Sequence, residues 1–269
     1  MSRLVIIHDA HHDPAFNMAA DLYLLSQCST ENTVYLRLYG WDPPAISLGY
    51  MQKPEQILDR ESLSRDGIDW VVRPTGGRAI LHSGDVTYSV AFPRTMTAMG
   101  KTIGDSYRFI STCLQRGLAL AGIITEAHDS FIDAREARGE IKLPCFLASN
   151  RDEIKAGGKK LIGSAQKRTA DAVLQHGSIP ITSAFRELPD YLRLSDSQKS
   201  AQKKMLEEKC ACISEVAPSA NADQVRECLV RGFAETLGMK EETASWISAD
   251  LQEIALAAKN VNANMVRQI

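Results

Sequence analysis

The stretch Arg73-Pro74-Thr75-Gly76-Gly77-Arg78-Ala79-Ile80-Leu81-His82 sets two adjacent glycines between two arginines at the mouth of an apolar strand. Adjacent glycines let the backbone approach a ligand closely, and the guanidinium groups on either side can face an anion. Taken alone, the same residues also describe a hairpin turn with solvated arginines. A second stretch, Gly158-Lys159-Lys160-Leu161-Ile162-Gly163-Ser164-Ala165-Gln166-Lys167-Arg168, places a lysine inside a strand and follows it with small residues that leave room for a ligand. A lysine facing a pocket can polarise a carbonyl while its stem packs on apolar walls, although a solvated strand face would carry the same residue.

Outward from these stretches the pattern is mixed. Leu4 to Ile7 reads as a short buried strand, and Asp13-Pro14 supplies an N-cap and first-turn proline for a helix carrying Phe16, Ala19, Ala20, Tyr23 and Leu24. Thr33 to Tyr39 alternates Val34, Leu36 and Leu38 against Tyr35, Arg37 and Tyr39, and Ala45 to Tyr50 follows a Trp-Asp-Pro-Pro turn, so both are expected as strands. Gln56 to Arg65 is expected as one short helix, and the segments from Trp70, Ala79 and Val86 as an antiparallel meander ending at Pro93. Tyr107, Ile110, Leu114 and Leu118 recur at helical spacing between about Asp105 and Ala121, and Gly122 ends that helix. Cys145 to Ala148, the hairpin around Gly157-Gly158, and Ala172 to Ile181 suggest a second sheet. After Pro189 charged helical stretches replace strands, with Ser197 and Asn221 as cap candidates. The expected fold is α+β, with two antiparallel or mixed sheets flanked by helices, a catalytic domain over 1–189 and a helical C-terminal extension over 190–269.

Composition narrows the function. With 44% hydrophobic residues in 269, the chain can bury a sizeable core. Lys and Arg total 31 against 33 Asp and Glu, a net charge of -2, so composition points to no nucleic-acid partner. The apolar run near the N-terminus is too short for a signal peptide or membrane span, and a cytoplasmic protein with no membrane partner is expected. The six cysteines, Cys28, Cys113, Cys145, Cys210, Cys212 and Cys228, form no Cys-x-x-Cys pair and fit reduced thiols. His8, His11 and His12 with Asp9 and Asp13 read as the junction of a strand and a helix cap rather than a metal centre, and no metal is expected.

The two stretches quoted first, with Asn17-Met18-Ala19 upstream and Gln175-His176-Gly177-Ser178-Ile179 downstream, together resemble the lipoate and biotin protein ligase superfamily over roughly Leu4 to Ile181. The resemblance implies that both glycine-bearing stretches line one acyl pocket and that Lys160 contacts the acyl carbonyl. It also implies that Arg73, Gly76, Gly77, Arg78, His82, Gly163, Ser164, Ala165 and His176 surround the substrate, His82 and His176 by orienting it or tuning the site. The basic Gly-Arg-Gly-Arg loop of biotin ligases is not found in this sequence. Lipoate ligases activate a free acid with ATP and need no protein nucleophile, whereas octanoyltransferases start from an acyl carrier protein thioester and use a cysteine.

Pro144-Cys145-Phe146, upstream of the lysine hairpin, is similar to the Cys-Phe of LipM-type octanoyltransferases, as is the RPTGGRAILH form of the first stretch. The charged segment from Asp133 to Lys142 departs from that pattern. What the resemblance implies is a catalytic pair, Cys145 and Lys160. They would move an octanoyl group from octanoyl-acyl carrier protein to a lipoyl-domain lysine, as in glycine cleavage H protein or a 2-oxoacid dehydrogenase E2, without a cofactor. The chemistry is consistent, because a neighbouring ammonium lowers a thiol pKa and a thiolate attacks a thioester well. Two readings stay open beside it. One is an ATP-dependent lipoate ligase using ATP and Mg, with Arg78 and Lys159 holding an adenylate phosphate. The other is a non-catalytic protein that binds lipoyl domains or acyl carriers.

Overall fold

The structure is a computed structural model that describes residues 3–127 and 154–266. In chain order its elements are β1 (Arg3–His12), α1 (Pro14–Glu31), β2 (Thr33–Trp41), β3 (Ala45–Leu48), α2 (Pro54–Ile57), α3 (Arg60–Asp66), β4 (Asp69–Val72), β5 (Ile80–His82), β6 (Asp85–Pro93) and α4 (Ile103–Leu120). There follow β7 (Glu126–Ala127), β8 (Ile154–Ala156), β9 (Lys159–Lys160), β10 (Gly163–Arg168) and β11 (Ala172–Pro180). The chain continues through α5 (Asp196–Lys209), α6 (Ile213–Val216), α7 (Ala222–Leu237), β12 (Glu241–Thr243) and α8 (Ser248–Val266). Among the described residues, no helix is long and apolar enough to cross a membrane.

The larger sheet runs β10-β11-β6-β2-β1-β12, with β2, β1 and β12 parallel and the other pairs antiparallel. Because side chains alternate across a strand, each strand feeds two cores. Leu4, Ile6, Val34, Leu36, Val90 and Phe92 pack with Ile110, Leu114 and Leu118 of α4 and with Val225, Leu229 and Phe233 of α7. Val5, Ile7, Tyr35, Ala91 and Leu174 point the other way, onto Leu24, Leu25 and Cys28 of α1. The α4–α7 contact is a glycine crossing: a Cβ on Gly232 would lie 2.3 Å from the Gly117 nitrogen, and one on Gly117 would lie 2.7 Å from the Leu229 Cα. Helices that follow residue 189 therefore share a core with the strands that precede it, and Ile254 of α8 is buried against Ala19 and Ala20 of α1.

The expected α+β class with mixed sheets flanked by helices is what the chain forms. Asp13 caps α1 by accepting from the Phe16 amide, with Pro14 in the first turn, and Thr102 with Asp105 makes a capping box for α4. Five local expectations need correction. The second sheet expected from the Gly157-Gly158 hairpin and Ala172 to Ile181 is split, because β10 and β11 join β6 in the larger sheet and leave β8 and β9 apart. The helix expected over 56–65 is two, since Asp59 starts α3 afresh as its N-cap. The expected meander is instead a sheet ordered β4-β3-β5 in which β3 and β4 are parallel, so the crossover through α2 and α3 joins them, while β6 belongs to the larger sheet. The first strand runs on to His12 through a bulge between His8 and His11, and Gly40 opposite makes space for the His11 ring. Ser195, not Ser197, caps α5. A third, small sheet, β7-β8-β9, carries Lys160.

Candidate active site

Residues from the six-stranded sheet and from the β4-β3-β5 sheet line a narrow cavity of about 20 Å³, room for about one water. Ser47 and His82 reach it from β3 and β5, Tyr39, Trp41 and Thr87 from β2 and β6, and Gly163 to Ala165 with His176 to Ser178 from β10 and β11. The paired strands explain the wall: Ser164 sits opposite Gly177 and Ala165 opposite His176. Gly177 must be glycine, because a Cβ there would lie 2.6 Å from the Gly163 carbonyl oxygen and 2.7 Å from Cε1 of Tyr88. Tyr88 and Ser164 share a hydrogen bond of 2.8 Å, so this wall is fixed from behind.

The glycine stretch is held in shape by its own arginine. Arg73, 3% exposed, donates from Nε and Nη2 to the Gly76 carbonyl and from Nη2 to the Arg78 carbonyl, while its Nη1 donates to the Ser47 carbonyl. A guanidinium has five N–H donors in a fixed fork, and here four such bonds fold the loop back onto β3. Gly77 takes φ 96°, and its carbonyl lies where a side chain on Gly49 would stand, 2.0 Å from an added Cβ. Arg73 also lines the cavity, so its positive charge faces the space it shapes.

Two histidines line the cavity, each tied to a carboxylate and a hydroxyl. His176 Nδ1 lies 2.9 Å from Asp21 Oδ2, and its Nε2 lies 2.7 Å from Thr75 Oγ1. Burial lowers the His176 pKa below its usual value despite the pull of Asp21. A neutral ring must donate its Nδ1 proton to the carboxylate, leaving Nε2 to accept from Thr75. Burial pushes the Asp21 carboxyl up, yet the His176 hydrogen bond and the Arg37 charge outweigh it and hold it below the ordinary carboxylate range. Arg37 Nη1 donates to Asp21 at 3.0 Å and Arg37 Nε to Asp9 at 2.8 Å. His82 Nδ1 lies 2.9 Å from Asp85 Oδ2 and its Nε2 lies 2.8 Å from Ser47 Oγ, with the ring stacked on Trp41 at 4.1 Å. Burial raises the Asp85 pKa, but the adjacent His82 ring and the hydrogen bonds from His82, Ser178 and Thr87 leave it below the usual range.

Of the residues expected from sequence, Arg73, His82, Gly163, Ser164, Ala165 and His176 converge on the cavity. Gly76, Gly77 and Arg78 form the loop beside it and are not among its lining residues. Lys160 is 5% exposed on β9, and its carbonyl accepts from the Ala211 amide at 2.9 Å; Leu161 and Ile162 separate it from the first lining residue of β10. Cys145 and the charged segment before it lie outside the described residues. Sequence reasoning missed Asp21, Arg37, Ser47, Trp41 and Asp85. Only Arg37 carried a local signal, a charge in the middle of a strand that is buried from end to end. His12, near the N-terminus, belongs to the same network, its Nε2 lying 2.8 Å from Asp9 Oδ1.

The Lipoyl protein ligase A/B catalytic domain family model matches residues 13–234. The chain is 38% identical over 257 residues to Octanoyltransferase LipM of Kyrpidia tusciae, an alignment covering 93% of this chain and 92% of that protein. It is 32% identical to Octanoyltransferase LipM of Staphylococcus aureus, with 92% of each chain covered. Among solved structures it is similar to a bi-partite lipoate protein ligase from Thermoplasma acidophilum, with a TM-score of 0.74 at 20% identity over 97% of this chain and 92% of that one. It is also similar to a lipoate-protein ligase A bound with ATP, with a TM-score of 0.72 at 22% identity over 96% and 93%. These two structures share its fold. The extent of the family match and of the octanoyltransferase alignments shows that the chain belongs to the lipoyl protein ligase A/B catalytic domain family and is an acyltransferase.

Proposed function

We propose that the chain transfers an octanoyl group from octanoyl-acyl carrier protein to the lysine of a lipoyl domain, through an acyl-enzyme on Cys145. The observation that carries this reading is the near full-length alignment with octanoyltransferases at 38% identity. The cavity lining is consistent with it: Met18, Trp41 and Ile80 stand beside Ser47, Arg73, His82 and His176, polar groups of the kind that meet an acyl carbonyl. In the first step the Cys145 thiolate attacks the thioester carbonyl and the carrier thiol leaves, an exchange nearly balanced in free energy. Lys160, buried beside the β10 wall, stabilises the thiolate and the oxyanion that develops on the carbonyl. In the second step the acceptor lysine, as a free amine, attacks the acyl-cysteine. Amide formation is downhill from a thioester, so the sequence requires no ATP.

The acceptor class draws support from the Thermoplasma relative, a ligase described together with its E2 lipoyl domain. A ligase reading of this chain would use Arg78 and Lys159 to hold an adenylate phosphate. Lys159 Nζ instead donates to the Glu207 carbonyl at 2.6 Å, at the C-terminal end of α5, which favours the transferase. The test is turnover with octanoyl-acyl carrier protein and a lipoyl domain. Acceptor octanoylation without ATP is expected. A strict requirement for ATP with free acid would establish the ligase, and binding of both partners with an unmodified acceptor would establish a non-catalytic protein.

A further inference from the structure

Two hydroxyl–imidazole–carboxylate chains flank the cavity, and they differ in which hydroxyl the cavity reaches. Thr75, at the head of one, does not line it, whereas Ser47, at the head of the other, does, together with His82. Ser47 Oγ, His82 Nε2, His82 Nδ1 and Asp85 Oδ2 follow one another at 2.8 Å and 2.9 Å. The order of protons is set by the ends. Asp85 as a carboxylate accepts, so a neutral ring carries its proton on Nδ1 and offers Nε2 to the serine hydroxyl. Arg73 Nη1 lies 3.3 Å from Ser47 Oγ and can only donate, so the serine proton is directed at His82. Asp85 Oδ2 also accepts from Thr87 at 2.9 Å and Ser178 at 2.6 Å, which fixes the carboxylate, and the Trp41 stack fixes the ring. A serine, a base within hydrogen-bond reach and a third group orienting the base make up the arrangement that activates a hydroxyl nucleophile.

We propose that Ser47, His82 and Asp85 form a hydrolytic triad that gives the chain a second, cysteine-independent activity, the hydrolysis of acyl thioesters and esters whose carbonyl is presented to Ser47. Ser47 Oγ attacks the acyl carbonyl while its proton passes to His82 Nε2, and the thiol or alcohol leaves with that proton. Water then attacks the acyl-serine, giving its proton to His82; the serine oxygen takes the proton back and the carboxylic acid departs. The medium-chain acyl class rests on the proposed function, but the hydrolytic chemistry does not.

The test uses full-length chain carrying Cys145→Ala and an octyl fluorophosphonate, a probe that forms a bond from phosphorus to an activated serine oxygen with loss of fluoride. Peptide mass mapping is expected to place the label on Ser47; no label, or a label only at other residues, would overturn the triad. In the same background, hydrolysis of p-nitrophenyl octanoate is expected to persist and to fall about a hundredfold with Ser47→Ala, the scale of general-base assistance. An undiminished rate in a folded Ser47→Ala protein would also overturn it. Should that variant not fold, the labelling of Ser47 in place still decides. The two proposals fail separately: an acyl-serine survives neutral hydroxylamine, whereas the acyl-cysteine of the transfer reaction is cleaved by it.

Discussion

Thr75–His176–Asp21 and Ser47–His82–Asp85 contain the same three kinds of group in the same order, but their carboxylates are compensated differently. Asp21 is fully buried against Arg37, itself fully buried and bonded also to Asp9 and to the carbonyl and side-chain oxygens of Asn17. Asp9 accepts in turn from the Trp246 indole at 3.0 Å, so this chain of contacts runs from the cavity to the segment before α8. Asp85 is held by hydroxyls and an imidazole. A buried carboxylate matched to a buried guanidinium acts as a strut, whereas one matched to hydroxyls and a histidine can follow a proton at its neighbour.

The contrast predicts unequal damage. Arg37→Met leaves Asp21 buried without its cation and is expected to cost about 3–5 kcal/mol in urea unfolding. Asp85→Asn keeps the shape and leaves hydrogen-bond partners imperfectly matched, an expected cost of about 1–3 kcal/mol. Equal losses would break the distinction between strut and relay. A smaller effect is expected from acid. The folded His176 pKa lies below 6.5, so the unfolded chain takes up this proton first and stability declines as pH falls below about 6.5. Asp9, Asp21 and Asp85 have folded pKa values below 3.8, so their stabilisation is complete above that pH and is lost as pH falls through the folded values. His176→Asn should flatten the decline between about pH 7 and 5 while leaving the lower one; an unaltered upper slope would remove His176 as its source. Trp246→Phe deletes one hydrogen bond to Asp9 and is expected to cost about 1 kcal/mol, with catalysis little changed.

The parts of the molecule that were legible in sequence are those whose physics is local. A cap, a proline and a periodic apolar face announce α1 and α4, and glycines beside arginine or lysine mark the two stretches that wall the cavity. What stayed hidden depends on partners far along the chain. Strand β12, Glu-Glu-Thr, is exposed throughout and has no apolar alternation to reveal it; its pairing with Leu4 to Ile6 of β1 defines it. The parallel pairing of β3 with β4 is a property of the crossover between them. Asp21 reads as an ordinary polar position of a helix until Arg37 and His176 are brought against it, and Ser47 is one serine among many until His82 arrives from β5.

Cys145 is the residue on which the proposed acyl transfer turns. Burial pushes the Cys28 thiol to about 11 and the Cys113 thiol to about 12, and Cys210, Cys212 and Cys228 are buried, so these thiols are poor competitors for an acyl group. The direct measurement is the intact mass of the chain after incubation with octanoyl-acyl carrier protein in the absence of ATP and acceptor. One octanoyl adduct is expected, removed by neutral hydroxylamine, mapping to Cys145 and disappearing in Cys145→Ala together with acceptor modification. Absence of a hydroxylamine-labile adduct on the wild type, or normal modification of the acceptor by Cys145→Ala, would contradict it.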